Sequence, residues 1–213
     1  GTNKLQGMFG AASATWSYQR HGHVSLRPQI LPALLAFAGS VLGALTATVM
    51  PGDLFGAVLP LLLVVIAVYF LLRPGLDDID RAQRINPFVF GMTIPPLIGF
   101  YDGLFGPGTG SFFMLAFVGL AGFGVLKATA HTKLLNLASN VGGLVLFAIA
   151  GAVLWKTGLV MGAAQIAGAQ LGSRLAMRGG ARVIKPLLVF VCLALAVKLV
   201  SDPAHPLRIW LGV

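Results

Sequence analysis

The chain has 213 residues, 57% of them hydrophobic and 10% charged, with a mean hydropathy of +0.88 and a formal net charge of +9. This composition lies outside the range of soluble globular domains and puts the chain in a lipid bilayer. The basic residues are spread among short loops between apolar runs, the pattern of positive loops against anionic lipid, so no nucleic-acid partner is expected.

Crossing a ~30 Å hydrocarbon core takes about 20 apolar residues of helix. The first segment, Leu5 to Tyr18, is shorter and carries Gln6, Ser13, Thr15 and Ser17, which makes it a polar-faced or tilted spanning helix. Apolar runs follow at roughly 30–50 and 54–72. A polar stretch from Arg73 to Pro87 holds most of the acidic residues and reads as a connector. Beyond it lie runs at roughly 88–105, 134–155, 158–177 and 183–200, with a shorter one at 111–126. Twenty-eight glycines suit helices packed closely in lipid. Cys192 is the single cysteine and sits in an apolar run, so it is read as a packing residue and no intrachain disulfide can form.

Residues 1–74 repeat without a gap as residues 130–203, with thirteen of 74 positions identical. Lys4 and Leu5 align with Lys133 and Leu134, Gly22 with Gly151, Gly39 with Gly168, Gly43 with Gly172 and Pro74 with Pro203. The expected organisation is all-α: a first transmembrane repeat over 1–74, a connector over 75–86 and a second repeat over 87–213. Such duplication is the usual plan of a transporter whose substrate sits between the halves. Residues 87–129 have no counterpart before Gly1, so some 40 residues or more, with a further glycine-rich element, are expected to precede it. If segment 111–126 spans the membrane, eleven basic residues fall on one side and four on the other. That bias favours inverted halves with a cytoplasmic connector.

Residues 94–111 contain Pro95, Pro96, Gly103, Gly106, Pro107, Gly108 and Gly110, and this run is expected to break a helix within the membrane. Irregular backbone at that depth belongs inside protein or beside a water-filled cavity. Amides converging there, with a helix starting near Ser111, suit an oxyanion. The stretch Gly106 to Ser111 has a superficial likeness to a phosphate-binding loop but lacks the lysine and the preceding strand. The alternative role for the glycines is tight helix crossing.

Gly99 Phe Tyr Asp Gly Leu Phe Gly Pro Gly Thr Gly Ser111, with Lys127 Ala Thr Ala His Thr Lys Leu Leu Asn Leu Ala Ser Asn140, resembles the second-half signature of the TauE/SafE family of membrane permeases, close to its YfcA branch. Gly1 to Gln6 resembles the matching first-half motif. The resemblance implies a bacterial inner-membrane protein with two repeated halves that moves small anions, sulfite and organosulfonates being linked to some relatives.

Lys133, Asn136 and Asn140 fall at i, i+3 and i+7 on one face of an otherwise apolar helix. A lysine there could pair with sulfite or a sulfonate while the asparagine amides donate to its oxygens. The alternative is a snorkelling lysine with asparagines that bond neighbouring helices. The amides of Gly106, Gly108 and Gly110 and the hydroxyls of Tyr101, Thr109 and Ser111 complete this candidate site, with Lys4, Asn3 and Gln6 as its first-repeat partners. Asp102 is a candidate proton carrier for coupling; equally, it could pair with Lys133 or cap a half-helix. His131 is read as structural, since the first copy has Thr2 there, and Gln165 and Gln170 as helix contacts. His21 and His23 lack a third metal ligand, and neither a metal nor a cofactor is expected. The expected function is therefore secondary transport of a small anion, with a noncatalytic membrane scaffold as the rival, an enzyme being disfavoured and a homo-oligomer left open.

Overall fold

The structure, a computed structural model, describes residues 1–49 and 77–201 together with positions 64, 65, 68 and 72. The run expected at 54–72, apart from those positions, and the Pro74–Pro203 match lie outside the described residues. The described chain is all-helical: α1 (Thr2–Arg20), a 3-10 turn (Arg27–Gln29), α2 (Ile30–Val49), α3 (Pro87–Leu104), α4 (Thr109–Gly119), α5 (Val125–Ile149), α6 (Trp155–Gly179) and α7 (Ala181–Val200). Two described helical stretches, Arg27–Val49 and Val125–Ile149, are long and apolar enough to cross a membrane. Leu34, Leu42 and Val49 on α2, Ile149 on α5 and Leu171 on α6 are exposed, an apolar outer surface that lipid would cover.

The α2–α3 contact is made by small residues. Ala36, Gly39, Ser40, Gly43 and Ala44 are buried on α2 against Gly99 and Gly103 of α3. A Cβ added at Gly103 would strike the Ser40 carbonyl, and one at Gly99 the Ala36 carbonyl, so the two backbones touch. The partner pairs ascend together, Gly91 with Pro32 and Gly103 with Ser40, so α2 and α3 run parallel. Helix α3 passes through Pro95 and Pro96 without breaking, contrary to the expectation that the prolines help interrupt it. Pro95 is buried and Gly39 packs on the Pro96 carbonyl, so the close contact with α2 holds the helix across the two prolines. The break comes only at Phe105–Gly108, where Gly106 and Gly108 have φ of 90° and 82°.

Helices α1 and α6 run parallel: Gln6 Nε2 donates to Gln165 Oε1 at 2.9 Å, Gln170 Nε2 to Ser13 Oγ at 2.8 Å, and Ser173 Oγ to Ser17 Oγ at 2.9 Å. Gln165 and Gln170 thus serve helix contacts. Helices α1 and α5 run antiparallel, with Gly7 against Asn140 and Lys4 against Gly143. Both end in the same motif. Gly22 N and His23 N donate to Gln19 O and Tyr18 O, while Gly151 N and Ala152 N donate to Ala148 O and Phe147 O.

The connector is a strap over one end of the bundle. Asp78 Oδ1 accepts Leu126 N at 3.0 Å and its Oδ2 accepts Ala181 N at 2.9 Å, so one carboxylate caps the starts of both α5 and α7. Asp80 Oδ1 accepts Gly124 N at 2.8 Å and Oδ2 accepts Lys127 Nζ at 2.5 Å. Arg81 N and Arg84 N donate to Gly122 O and Leu120 O, so the end of α4 returns to the side where α3 begins. At eleven residues, or roughly 16 Å, α4 by itself reaches about half-way across a hydrocarbon core. The segment expected at 111–126 is thus this short helix plus a turn.

Gly103→Val puts a branched side chain into backbone and should lower stability by about 1–3 kcal/mol or more, read as a fall in the thermal midpoint of the detergent-solubilised protein. The Gly124 N–H and then the Lys127 ammonium hold the Asp80 carboxyl below its usual range. A depressed folded pKa stabilises above the unfolded value of about 4, and that stabilisation is lost as pH falls through the folded value. Asp80→Asn should therefore lower the midpoint at neutral pH and match the wild type once Asp80 is protonated; a difference that persists in acid refutes this.

Candidate functional site

At the α3–α4 break the structure brings together charges from the start and the middle of the sequence. Asp102, buried on the last turn of α3, has its Oδ1 2.8 Å from Lys4 Nζ, and Lys4 Nζ also donates to the Asp102 carbonyl. Of the arrangements open for Asp102, this is a buried pair, but with Lys4 rather than Lys133. The antiparallel run of α1 along α5 carries Lys4 past Asn140 to Gly143, whereas Lys133 lies nearly three turns away on α5. Thr109 Oγ1 donates to Asp102 Oδ1 at 2.8 Å and to Gly106 O at 2.6 Å, tying the start of α4 to the carboxylate. Asp102 Oδ2 is buried with no partner among the described residues, as is Ser40 Oγ. A Cβ at Gly143 would lie 3.2 Å from both Lys4 Cε and Ser40 Oγ, which places Ser40 beside the pair.

Around this ion pair lies a set of donors. The N–H groups of Gly108 and Gly110 at the start of α4 have no acceptor among the described residues. A Cβ at Gly110 would lie 3.0 Å from Asn136 Nδ2 and 3.9 Å from Thr132 Cγ2, so α5 faces the α4 start through these two residues. Thr132 Oγ1 and Asn136 Oδ1 are buried without partners among the described residues. Lys133 is half-buried and makes no hydrogen bond or ion pair among the described residues. With Lys4 and Asp102 cancelling, the charge left over at the break is the partial positive charge of the α4 N-terminus, and the Lys133 ammonium stands one turn before Asn136 on α5.

The other expected residues are placed as follows. Tyr101 donates its hydroxyl to Pro107 O at 2.6 Å and packs its ring on Phe105 and Phe112, bracing the loop. Asn140 donates Nδ2 to Asn136 O at 2.7 Å and lies against Gly7. Ser111 Oγ is 3.8 Å from Cys192 Sγ. Asn3 is exposed, and Gln6, two residues from Lys4 and so on another face of α1, is turned to Gln165 of α6. His131 is packed between Phe117 and Phe123 with Nδ1 2.9 Å from Lys127 O, a structural role. Sequence reasoning missed Ser40 and Thr132. Ser40 is the sole hydroxyl between Ile30 and Leu45, which was the available signal. A groove of about 380 Å³ between α2 and α5, lined by residues such as Leu34, Phe37 and Leu137, contains no charged group and lies apart from this centre.

Lys4→Met leaves the Asp102 carboxylate buried and unpaired and should cost about 3–5 kcal/mol, whereas the Lys4→Met/Asp102→Leu double substitution should recover most of that loss. Thermal unfolding of the two variants in detergent measures the difference; equal losses would contradict a buried pair.

The family model described as Sulfite exporter TauE/SafE matches residues 1–199. The chain is 65% identical over 212 residues to a probable membrane transporter protein, ORF9, of Sinorhizobium sp, covering 100% of this chain and 81% of the relative. It is 45% identical over 214 residues to the probable membrane transporter protein YfcA of Escherichia coli K12, covering 100% and 79%. A probable membrane transporter protein of Haemophilus influenzae is 44% identical over 202 residues, covering 95% and 79%. No solved structure matches the chain. A helical bundle with an apolar exterior, a helix broken beside a buried ion pair, and these matches along the chain agree: the protein belongs to the TauE/SafE family and is a membrane transporter, not an enzyme.

Proposed function

We propose that the chain is a secondary transporter of small anions, with sulfite or organosulfonates as its substrates, in the bacterial inner membrane. The observation that carries this reading is the set of donors at the α3–α4 break that have no acceptor among the described residues, the Gly108 and Gly110 amides, with Asn136 of α5 beside them and Lys133 one turn before Asn136 on the same helix. Fixed amides and an ammonium suit a sulfur oxyanion, whose oxygens each accept more than one hydrogen bond. The description of the matching family names sulfite, which favours that substrate class. Gly106, Thr109, Ser111 and Tyr101 shape the loop, Asn140 continues the polar face of α5, Lys4 supplies the second positive charge, and Asp102 carries the coupling proton.

The substrate moves by alternating access between two inverted repeats. Supporting this are the antiparallel run of α1 and α5 and their shared C-terminal motif, 129 residues apart, at Gly22 and Gly151. The strap, Lys127 and the α6–α7 turn lie at one end of the bundle, where Arg81, Arg84, Arg174, Arg178, Arg182 and Lys185 are also found. The positive-inside rule makes that end cytoplasmic.

In proteoliposomes the wild type should take up radiolabelled sulfite, and Lys133→Ala and Asn136→Ala should each lower the flux about tenfold or more, the worth of a hydrogen bond to a charged group, while the protein remains inserted. Undiminished flux in both variants would remove the site assignment.

A further inference from the structure

The anion centre proposed above already holds an anion of its own. The Asp102 carboxylate takes the Lys4 ammonium and the Thr109 hydroxyl, each at 2.8 Å, which are donors that an incoming oxyanion at the start of α4 would use. We propose that Asp102 is a resident competitor of the transported anion, and that a proton added at Oδ2 frees Lys4 and Thr109 for that anion, so that one proton enters with each anion carried. The inference rests on reading this centre as the anion site.

Charge conservation in a buried place is the physical reason. Lys4 with ionised Asp102 forms a neutral pair. A second anion held by Lys4 beside ionised Asp102 would set two negative charges against that one ammonium, since Lys133 lies nearly three turns along α5 from Lys4, an arrangement that burial makes costly. With the proton on Asp102, the centre holds Lys4 ammonium, the bound monoanion and a neutral carboxyl, the same net charge as before. Oδ2 is the place for the proton because it is buried and bears no hydrogen bond among the described residues, so protonation there breaks nothing before Oδ1 weakens as an acceptor. When the anion leaves, Lys4 returns to Asp102 and the proton departs to water on that side.

The groups that face Asp102 are few. From α1 comes Lys4, from α2 the unpartnered Ser40 hydroxyl, from α4 Thr109, and from α3 itself Tyr101, whose hydroxyl is committed to Pro107 O. On α5 the polar face offers Asn140, Asn136 and, farther along, the unpaired Lys133. Asp102 is the sole acidic side chain within the described helices, so one carboxyl, and hence one proton, serves each cycle.

The test uses the full chain in weakly buffered liposomes with radiolabelled isethionate, a sulfonate that stays a monoanion at every working pH, so that any pH dependence belongs to the protein. The wild type should move one proton with each isethionate, read by a pH-sensitive dye, and an inward proton gradient should drive accumulation. Its affinity should fall as pH rises, by up to about tenfold for each pH unit. Asp102→Asn should bind isethionate with an affinity independent of pH and exchange it across the membrane, yet no longer accumulate it on a proton gradient. Isethionate flux without proton movement in the wild type, or gradient-driven accumulation by Asp102→Asn, overturns the inference alone. Absence of isethionate flux in the wild type overturns the anion-site reading and this inference together. The wild-type proton count decides the matter even if the Asn variant fails to fold.

Discussion

An ionised pair inside a membrane protein must be held by structure, because neither charge can be abandoned to an apolar surrounding. The pair of Lys4 and Asp102 joins the first helix of the chain to the end of α3, and Thr109 extends the link to α4. Three helices therefore meet at one carboxylate. The break at Phe105–Gly108 is placed by this meeting: α3 stops where Asp102 has found its cation, and α4 starts where Thr109 can reach the same carboxylate. The free amides at the α4 start are a consequence, since a chain that turns through two left-handed glycines cannot pair every N–H within the helix.

The rest of the fold holds that junction in position by two different means. Beside it, α2 and α3 touch through backbone, with glycine, alanine and serine allowing an approach that larger side chains would prevent. Packing of this kind relies on van der Waals contact rather than on hydrophobic exclusion, which lipid does not supply between helices. At one end of the bundle, the strap uses charge and hydrogen bonds instead. Asp78 and Asp80 satisfy backbone donors at the starts of α5 and α7, and the strap backbone grips the turn after α4. The same acidic residues that make the connector polar thus fasten the second half of the chain together.

Much of this could be read from residue order. The helical class, the break near Gly106, the polar face of Lys133, Asn136 and Asn140, and the matched turns at Gly22 and Gly151 all follow from local pattern, because each depends on residues close together in the chain. The prolines were misleading for a physical reason: Pro95 and Pro96 weaken a helix in isolation, but α2 packed closely against this stretch sustains it. The strap was visible only as a polar interval, since nothing in Asp78 says that its two oxygens will cap helices that begin at Val125 and Ala181.

The sequence alone determined that this is an apolar helical chain with a glycine-rich interruption, because composition and periodicity are properties of the chain itself. Tertiary structure decided the partner of Asp102. Two lysines, Lys4 and Lys133, each begin a Lys-Leu step in an otherwise apolar segment, and composition cannot choose between them. The antiparallel packing of α1 on α5 chooses Lys4, leaving Lys133 farther along α5 without a partner among the described residues. That choice makes one lysine a counter-ion and the other an available cation, and it depends on contacts between residues about a hundred positions apart, which only the folded chain brings together.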